Sequence, residues 1–223
     1  MRDLVIVGAG GFARETAAAA AAAGTWRVLG FLDDDPALHG TSRSGLPILG
    51  AAASVADLPH AAVVVCVGNP RDYTVRQRIV RRLGLPPERF ATVLHPAAVV
   101  GAGSVVGPGS VLLAGTVLTA DVTVGSHVAV MPQAVLTHDD RVGDYATVAS
   151  GVRLGGGATL QTGAYVGAGA LVREGVTVGA WSLVGMGSVV LRDVPPGQIW
   201  AGNPARLLRP ADLPAVPAAS PRR

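Results

Sequence analysis

The sequence contains no lysine: all eighteen basic residues of the 223-residue chain are arginine. Because a Schiff base forms on a lysine amine, this absence excludes covalent catalysis of that kind. The single cysteine, Cys66, excludes an intrachain disulfide framework and is typical of a protein from a reducing compartment. Aromatic residues make up only 4% of the chain, so small aliphatic side chains must fill its core.

Long apolar runs and clusters of charge are also missing. The alanine run at 17–23 is too short for a membrane helix, and the N-terminal "MRDLVIVGAGG" is too short for a signal peptide. The net charge is only +3, and the arginines are scattered apart from "RDYTVRQRIVRR" and the tail. This is not the basic stripe of a nucleic-acid-binding protein. We therefore expect a cytoplasmic protein without membrane insertion or nucleic-acid binding.

The first 94 residues alternate between strand and helix signals. The strand "LVIV" ends in a glycine turn, a helix follows and closes at Gly24, and two more strands lie in "RVLGFL" and "AAVVVCV". A second helix closes at Gly84. This alternation predicts a parallel sheet with helices on its faces. There is room for one mononucleotide-binding half, but not for the doubled unit that holds a dinucleotide.

From Val100 to Val190, every sixth residue is valine or leucine, at sixteen positions without a slip. The next position is often glycine, and the fourth position after each aliphatic is mostly Ala, Ser, Thr or Val. A period of six is neither helical nor that of a simple strand, and it is typical of a parallel β-helix. Three hexads complete a triangular coil, so residues eighteen apart should stack in adjacent coils.

A charged cluster interrupts this apolar repeat in the segment "VLTHDDRVGDYATVAS". His138 follows two positions after Leu136, whose side chain should point inward. We therefore expect His138, with Asp139 and Asp140 after it, to lie outside the prism, where they can meet solvent, a ligand or another copy. A neutral imidazole near pH 7 is well suited to accept a proton, and a neighbouring carboxylate fixes its tautomer.

Four features in order resemble the left-handed β-helix acyltransferases: "VGAGGFARE", "FLDDD", the hexads with "THDDRVGDY", and "AGNPAR". Within these the chain is most similar, over about residues 3–208, to nucleotide-sugar N-acetyltransferases grouped with sialic acid O-acetyltransferase-like proteins. The resemblance implies a Rossmann-like nucleotide-sugar-binding domain at 1–95 and a left-handed β-helix acyltransferase domain at 96–208. Residues 209–223 would be a mobile Pro/Ala-rich tail. It also implies a homotrimer, with acetyl-CoA in the groove between neighbouring prisms and no metal.

The resemblance also assigns roles to residues of the prism. In that family a histidine in an H-[DE] pair is the general base, and His138 with Asp139 matches this pair. Gly156, eighteen residues after His138, matches a position whose N–H binds the oxyanion. Thr147 replaces a second histidine that contacts acyl-CoA in many relatives, and we expect its hydroxyl to bind the cofactor instead. A second departure is "MPQ" at 131–133, where several relatives carry an asparagine near the sugar.

Two more groups of residues are predicted to bind ligands. In the front domain the glycine turn, the start of the first helix and the ends of two strands should hold the nucleotide: Gly8, Gly10, Gly11, Phe12, Asp33, Asp34, Gly68 and Asn69. A helix N-terminus suits a phosphate, and the aspartates resemble the family's uridine-binding acids. They could equally contact the ribose of NAD, which the domain's small size disfavours. The resemblance places the C-terminal segment along the CoA: Gly202, Asn203, Pro204, Ala205 and Arg206.

Three functions stay open on the sequence alone. The first is direct transfer of an acetyl group from acetyl-CoA to the amino group of a nucleotide-linked sugar, without an acyl-enzyme because neither serine nor cysteine accompanies His138. The second uses a hydroxyl acceptor on a sialic acid or a polysaccharide. The third is a non-catalytic trimeric scaffold that binds a nucleotide sugar, against which the retained His-Asp pair argues. His127 has no acidic neighbour and is expected at the surface or at a subunit interface.

Overall fold

The structure is a computed structural model that describes residues 1–213. Residues 214–223, most of the expected tail, lie outside the described part. The final strand runs from Ala205 to Pro210, two residues past the predicted end of the β-helix domain. Within residues 1–213 no helix is long and apolar enough to cross a membrane.

The front domain is a five-stranded sheet with helices packed against it. Its main elements are β1 (Arg2–Val7), α1 (Gly11–Ala23), β2 (Trp26–Leu32), β3 (Ser42–Arg43), β4 (Leu46–Gly50), β5 (Ala62–Val65) and α2 (Val75–Leu83). Short 3-10 helices lie at Pro36–Leu38, Ala52–Asp57 and Pro87–Arg89. The strand order is β3-β4-β2-β1-β5, parallel except that β3 is antiparallel to β4. The sequence predicted β1, β2 and β5 and missed the short pair β3 and β4.

The carboxyl ends of β1, β2 and β5 lie at one edge of this sheet. Strand β1 pairs with β2 on one side and with β5 on the other. The strand order therefore reverses at β1: β2 and β4 lie on one side of it, and the later strand β5 lies on the other. Open α/β sheets bind ligands at such a switch point. Gly8 follows β1 with φ of 104°, and a Cβ there would lie 2.8 Å from the Cys66 carbonyl oxygen. Only glycine fits this close approach, as the predicted turn requires.

The second half is a left-handed parallel β-helix with three faces. The first face contains Val99–Val100, Val117–Leu118, Val135–Leu136, Arg153–Leu154, Leu171–Val172 and Val189–Val190. The second contains Val105–Val106, Thr123–Val124, Arg141–Val142, Thr159–Leu160 and Thr177–Val178. The third contains Val93–Leu94, Val111–Leu112, Ala129–Val130, Thr147–Val148, Tyr165–Val166, Leu183–Val184, Gln198–Gly202 and Ala205–Pro210.

Residues eighteen apart pair in register, as Leu136 does with Leu154, which is the spacing that the hexads predict. All the stepped aliphatic positions from Leu112 to Val190 are buried. Val100 is 39% exposed because it lies in the first coil of the prism, and no strand precedes it on its own face. The only strand before it, Val93–Leu94, lies on the third face. The stacked valines and leucines form one continuous apolar core along the prism.

The front domain packs against the third face of the prism. The Tyr73 hydroxyl donates to the Trp181 carbonyl oxygen at 2.8 Å. The sequence predicts His127 at the surface or at a subunit interface, and this is wrong. The side chain is buried within the chain, edge-on to the Phe90 ring and stacked on the Tyr145 ring. Burial lowers the pKa of His127 to about 4, so this imidazole is neutral at pH 7.

Candidate active site

His138 lies in the turn at residues 137–140, which joins a strand of the first face to one of the second. Its side chain points away from the core, as predicted, and is 69% exposed. Because residues 1–213 leave most of this side chain open to solvent, a molecule that binds at His138 contacts the chain on one side only.

The imidazole is held by its neighbour. Nδ1 of His138 lies 2.8 Å from Oδ2 of Asp139. An ionised carboxylate can only accept, so Nδ1 carries the hydrogen, and in the neutral imidazole Nε2 keeps a free lone pair. Asp139 adopts the left-handed conformation, φ 65°, at a turn position that the next coil fills with Gly157. The same conformation occurs at the equivalent turn positions Asp121, Gln133 and Tyr145, so it belongs to the turn of the repeat and is not special to Asp139.

Gly156 lies directly beside the imidazole ring, one coil further along the prism. A Cβ atom at Gly156 would stand 2.4 Å from both Cε1 and Nε2 of His138. The Gly156 N–H donates to no acceptor within residues 1–213, and the same holds for the equivalent N–H groups of His138 and Glu174. What distinguishes Gly156 is therefore the imidazole next to it. Its role as an oxyanion donor stays a prediction.

Asp140 corrects the sequence-based interpretation of the charged cluster. It does not lie outside the prism with His138 and Asp139 but is fully buried, with 0% exposure. It occupies the fourth position after Leu136, which the repeat elsewhere fills with a small side chain that points inward. The hexad frame therefore carried the signal that Asp140 is internal, although the run of acids suggested a solvated group.

The predicted nucleotide residues gather at the edge of the front sheet. Helix α1 begins with Gly10 as its N-cap, without a side-chain cap, so its first N–H groups are available to an anion. Asp33 accepts from the Ala9 N–H at 2.8 Å and so holds the glycine turn. Asp34 accepts from the Ala52 N–H at 3.0 Å and pairs with Arg82. Both carboxylates are therefore already used to shape this edge.

The turn after β5 faces the same edge. The Asn69 side-chain oxygen accepts from the Arg71 N–H at 2.9 Å, which closes the turn next to Gly68. Both glycines at the start of α1, Gly10 and Gly11, have open space in front of them. A diphosphate can thus approach the helix N-terminus between the two turns.

Thr147 lies on the third face, away from the His138 turn, and points toward the front domain. Its hydroxyl accepts from Nη2 of Arg76, which also donates to the Tyr145 and Ala146 carbonyl oxygens at 2.7 and 2.9 Å. Arg76 is only 3% exposed, and burial lowers its pKa to about 10. The sequence does not single out Arg76, because α2 shows only an arginine-rich face.

A cavity of about 190 Å³ opens beside this contact between the two domains. Phe12, Gly68 and Pro70 line it from the front domain, and Met131 and Thr147 line it from the prism. The structure thus joins one end of the predicted nucleotide site to the two positions where the sequence departs from its relatives. It does not bring Thr147 and His138 of one chain together.

The C-terminal segment forms a hairpin whose strands extend the third face. Residues 202–206 lie at its tip: the Gly202 N–H donates to the Ser188 hydroxyl at 3.2 Å, and Asn203–Pro204 is a cis peptide bond. Arg206 is exposed beside this tip. The hairpin lies three strands beyond Thr147–Val148, about 14 Å at the usual strand spacing of about 4.8 Å. An extended molecule can span the distance between Thr147 and the hairpin. Contact between the hairpin and CoA stays a prediction.

In residues 1–213 no three His, Cys, Asp or Glu side chains come together in a way that would hold a metal ion. Cys66 lies in the core of the front domain, where burial raises its pKa to about 12. The thiol is therefore not a nucleophile near pH 7.

Comparison with known proteins agrees with this architecture. Residues 3–83 match the family of the PglD N-terminal domain. No curated protein matches the chain significantly.

Several solved structures match more than nine tenths of the chain. One is a histidine-to-alanine variant of GDP-perosamine N-acetyltransferase from Caulobacter crescentus with CoA and GDP-perosamine, 30% identical, with a TM-score of 0.81, over 92% of this chain and 96% of that one. Another is the acetyltransferase domain of PglB from Neisseria gonorrhoeae with acetyl-CoA, 29% identical, TM-score 0.83, over 93% and 99%. WeeI from Acinetobacter baumannii is 25% identical, with a TM-score of 0.67, over 93% and 100%.

Proposed function

Because the chain belongs to the hexapeptide-repeat family of nucleotide-sugar N-acetyltransferases, we propose that it transfers an acetyl group from acetyl-CoA to the amino group of a nucleotide-linked amino sugar. The observation that carries the proposal is the His138 imidazole, which is oriented by Asp139 and lies against Gly156 with Nε2 free.

The chemistry follows from this arrangement. The unprotonated amine attacks the thioester carbonyl carbon, and a C–N bond forms. Nε2 of His138 accepts the proton that the nitrogen must lose, and the Asp139 carboxylate stabilises the resulting imidazolium. The tetrahedral intermediate carries a negative oxygen, to which the free Gly156 N–H donates. When the intermediate collapses, the C–S bond breaks and the CoA thiolate takes the proton from His138.

The acceptor's nucleotide is assigned to the front domain. The diphosphate binds the free N–H groups at the start of α1, and Asp33 and Asp34 face the ribose or the base. The cavity between Phe12 and Thr147 leads the sugar toward the prism. Acetyl-CoA lies along the prism toward the hairpin with Arg206. The nucleotide and the CoA moiety thus bind separate parts of the chain, and only the amine and the thioester meet, at His138.

The decisive experiment is a thiol-release assay with acetyl-CoA and a panel of UDP-, dTDP- and GDP-linked amino sugars. We expect release of CoA with at least one amino sugar and none with the matching sugar that carries a hydroxyl in place of the amine. Release only with hydroxyl acceptors would establish the O-acetyltransferase alternative. Saturable nucleotide-sugar binding without release with any acceptor would establish the scaffold.

Replacing Asp33 and Asp34 together by alanine should raise KM for the nucleotide sugar about 10-fold or more, because charged hydrogen bonds of roughly 1.5–3 kcal/mol are lost and the glycine turn loses its anchor. KM for acetyl-CoA should stay unchanged, since the cofactor lies on the prism. Steady-state kinetics with each substrate varied in turn measures both values.

Asp3→Ala is the matched control for this double variant. Asp3 pairs with Arg27 at 2.6 Å, an acid–base pair at the opposite edge of the same sheet. Its loss should change neither KM. A fall in acetyl-CoA affinity with an unchanged nucleotide-sugar KM in the double variant would show that the ligands are assigned to the wrong domains, and tight NAD binding by the wild type would favour a dehydrogenase-like domain.

We also expect a homotrimer. His138 is exposed on an edge of the prism and needs a second wall, and Val99 and Leu171 leave apolar surface open on the first face. Light scattering in dilute buffer should give three times the chain mass of 22.4 kDa. A monomer that retains full activity would show instead that the whole groove is built within one chain.

A further inference from the structure

Asp140 is the one carboxylate at its position in the repeat. Along the same edge of the prism, the fourth position after the inward aliphatic holds small or apolar side chains in the other coils: Ser104, Val122, Ala158, Val176 and Val194. An acid inside an apolar prism costs free energy unless its oxygens are hydrogen-bonded. Its presence in this coil calls for a local reason.

Both oxygens of Asp140 are bound by backbone N–H groups. Oδ2 accepts from the Thr137 N–H at 2.7 Å, which closes the turn that carries His138. Oδ1 accepts from the Ala158 N–H at 2.8 Å, which ties this turn to the next one, where Gly156 lies. One side chain thus fixes the position of the His138 turn and its distance from Gly156.

The ionisable groups closest to Asp140 along the chain are His138 and Asp139 in its own turn and the exposed Arg141 that follows it. Burial raises the pKa of the Asp140 carboxyl to about 7, and the nearby charge of Asp139 raises it further. The two N–H donors and His138 favour the ionised form and oppose this shift. The next turn, residues 155–158, has no ionisable side chain. In the turn before it, Asp121 points toward Gly103, away from Asp140.

We propose that Asp140 is a positioning residue that holds the His138 turn against the Gly156 turn, and this inference rests on the proposed role of His138 as base. Its two hydrogen bonds set where Nε2 stands relative to the N–H of Gly156. Asp140 does not itself touch the substrate, because it is enclosed in the prism.

The repeat offers a matched set of variants. The Ser104 hydroxyl accepts from the Val122 N–H at 3.1 Å, the same contact that Asp140 makes with Ala158, two coils away. Asp140→Ser should therefore keep the link between the turns and lose the bond to Thr137. Asp140→Ala loses both, yet Ala158 shows that alanine fits this column. Ser104→Ala removes an equivalent bond far from His138.

Steady-state kinetics should rank the variants by kcat. A displacement of about 1 Å at a reacting group can cost about 100-fold, so we expect Asp140→Ala to lower kcat about 10- to 100-fold and Asp140→Ser by less. KM for both substrates should change less than about 3-fold, and Ser104→Ala should match the wild type. A wild-type kcat in Asp140→Ala, or an equal loss in Ser104→Ala, would overturn the proposal.

A double variant shows whether Asp140 acts through His138. In a His138→Ala background, Asp140→Ala should cause no further loss of kcat, because there is no imidazole to position. An additional loss as large as that in the wild-type background would mean that Asp140 acts elsewhere, and would contradict the proposal.

A stability measurement separates failure of this inference from failure of the proposed function. Because the folded pKa lies above the ordinary value of 3.8, the native state binds this proton more tightly than the unfolded chain does. The contribution of Asp140 to stability is then greatest below about pH 4 and falls as the pH rises to about 7. Thermal unfolding of Asp140→Ser should lack this fall. If the two proteins show the same pH dependence, the Asp140 carboxyl is not enclosed in the prism as the structure shows, whatever the enzyme's substrate.

Discussion

His138→Ala should lower kcat by about 100-fold or more, in line with the usual contribution of a general base. The imidazole lies at the surface, with its side chain 69% exposed, so its removal leaves no cavity and the fold should persist. Since acetyl-CoA is assigned to the groove and the hairpin, its affinity should be nearly unchanged. Turnover is measured by thiol release at saturating substrates, and binding by calorimetry with CoA.

Two further variants test whether the loss of kcat is specific to His138 and its pairing with Asp139. Asp139→Asn keeps a hydrogen-bonding group next to Nδ1 but removes the negative charge that stabilises the imidazolium, so its kcat should lie between those of the wild type and His138→Ala. His60→Ala removes an exposed histidine from the front domain and should have no effect. Near-wild-type turnover in His138→Ala would exclude His138 as the base.

Much of the prism could be predicted because its repeat follows two simple rules. The period of six sets which side chains point inward, and the period of eighteen sets which residues are neighbours in adjacent coils. Together these periods place His138 outside, Leu136 against Leu154, and Gly156 beside His138. The period of six also places Asp140 inside, and its acidic neighbours led to the wrong interpretation.

The contact between the domains could not be predicted in this way. Arg76 lies on an arginine-rich helix, and nothing in its local sequence distinguishes it from Arg81 and Arg82, which are exposed. It is buried because α2 meets the third face of the prism at Tyr145 and Ala146, whose carbonyl oxygens it binds. His127 is buried for the same reason. Such contacts depend on how two domains dock, which neither hydrophobic period describes.

Gly156→Ala should also lower kcat about 100-fold, through the position of the base. The added Cβ would stand 2.4 Å from Nε2 and Cε1 of His138, so the ring must move away from its place beside the Gly156 N–H. A shift of about 1 Å at a reacting group is enough for a loss of about 100-fold. The backbone is not strained by the change, since Gly156 lacks the positive φ of its neighbour Gly157. Thermal unfolding should therefore show a folded protein.

The equivalent position in the next coil provides the control, because Glu174 already carries a side chain there and Glu174→Ala should leave kcat unchanged.

Alanine keeps the backbone N–H, so the loss of kcat in Gly156→Ala reports the displaced imidazole and the hindered approach of the acyl group, not a missing donor. In a His138→Ala background there is no imidazole to displace. Gly156→Ala should then lower kcat much less than it does in the wild-type background. An undiminished loss in that background would mean that Gly156 acts on the acyl group directly, and unaltered turnover in the single variant would show that the ring beside Gly156 is not in its working position.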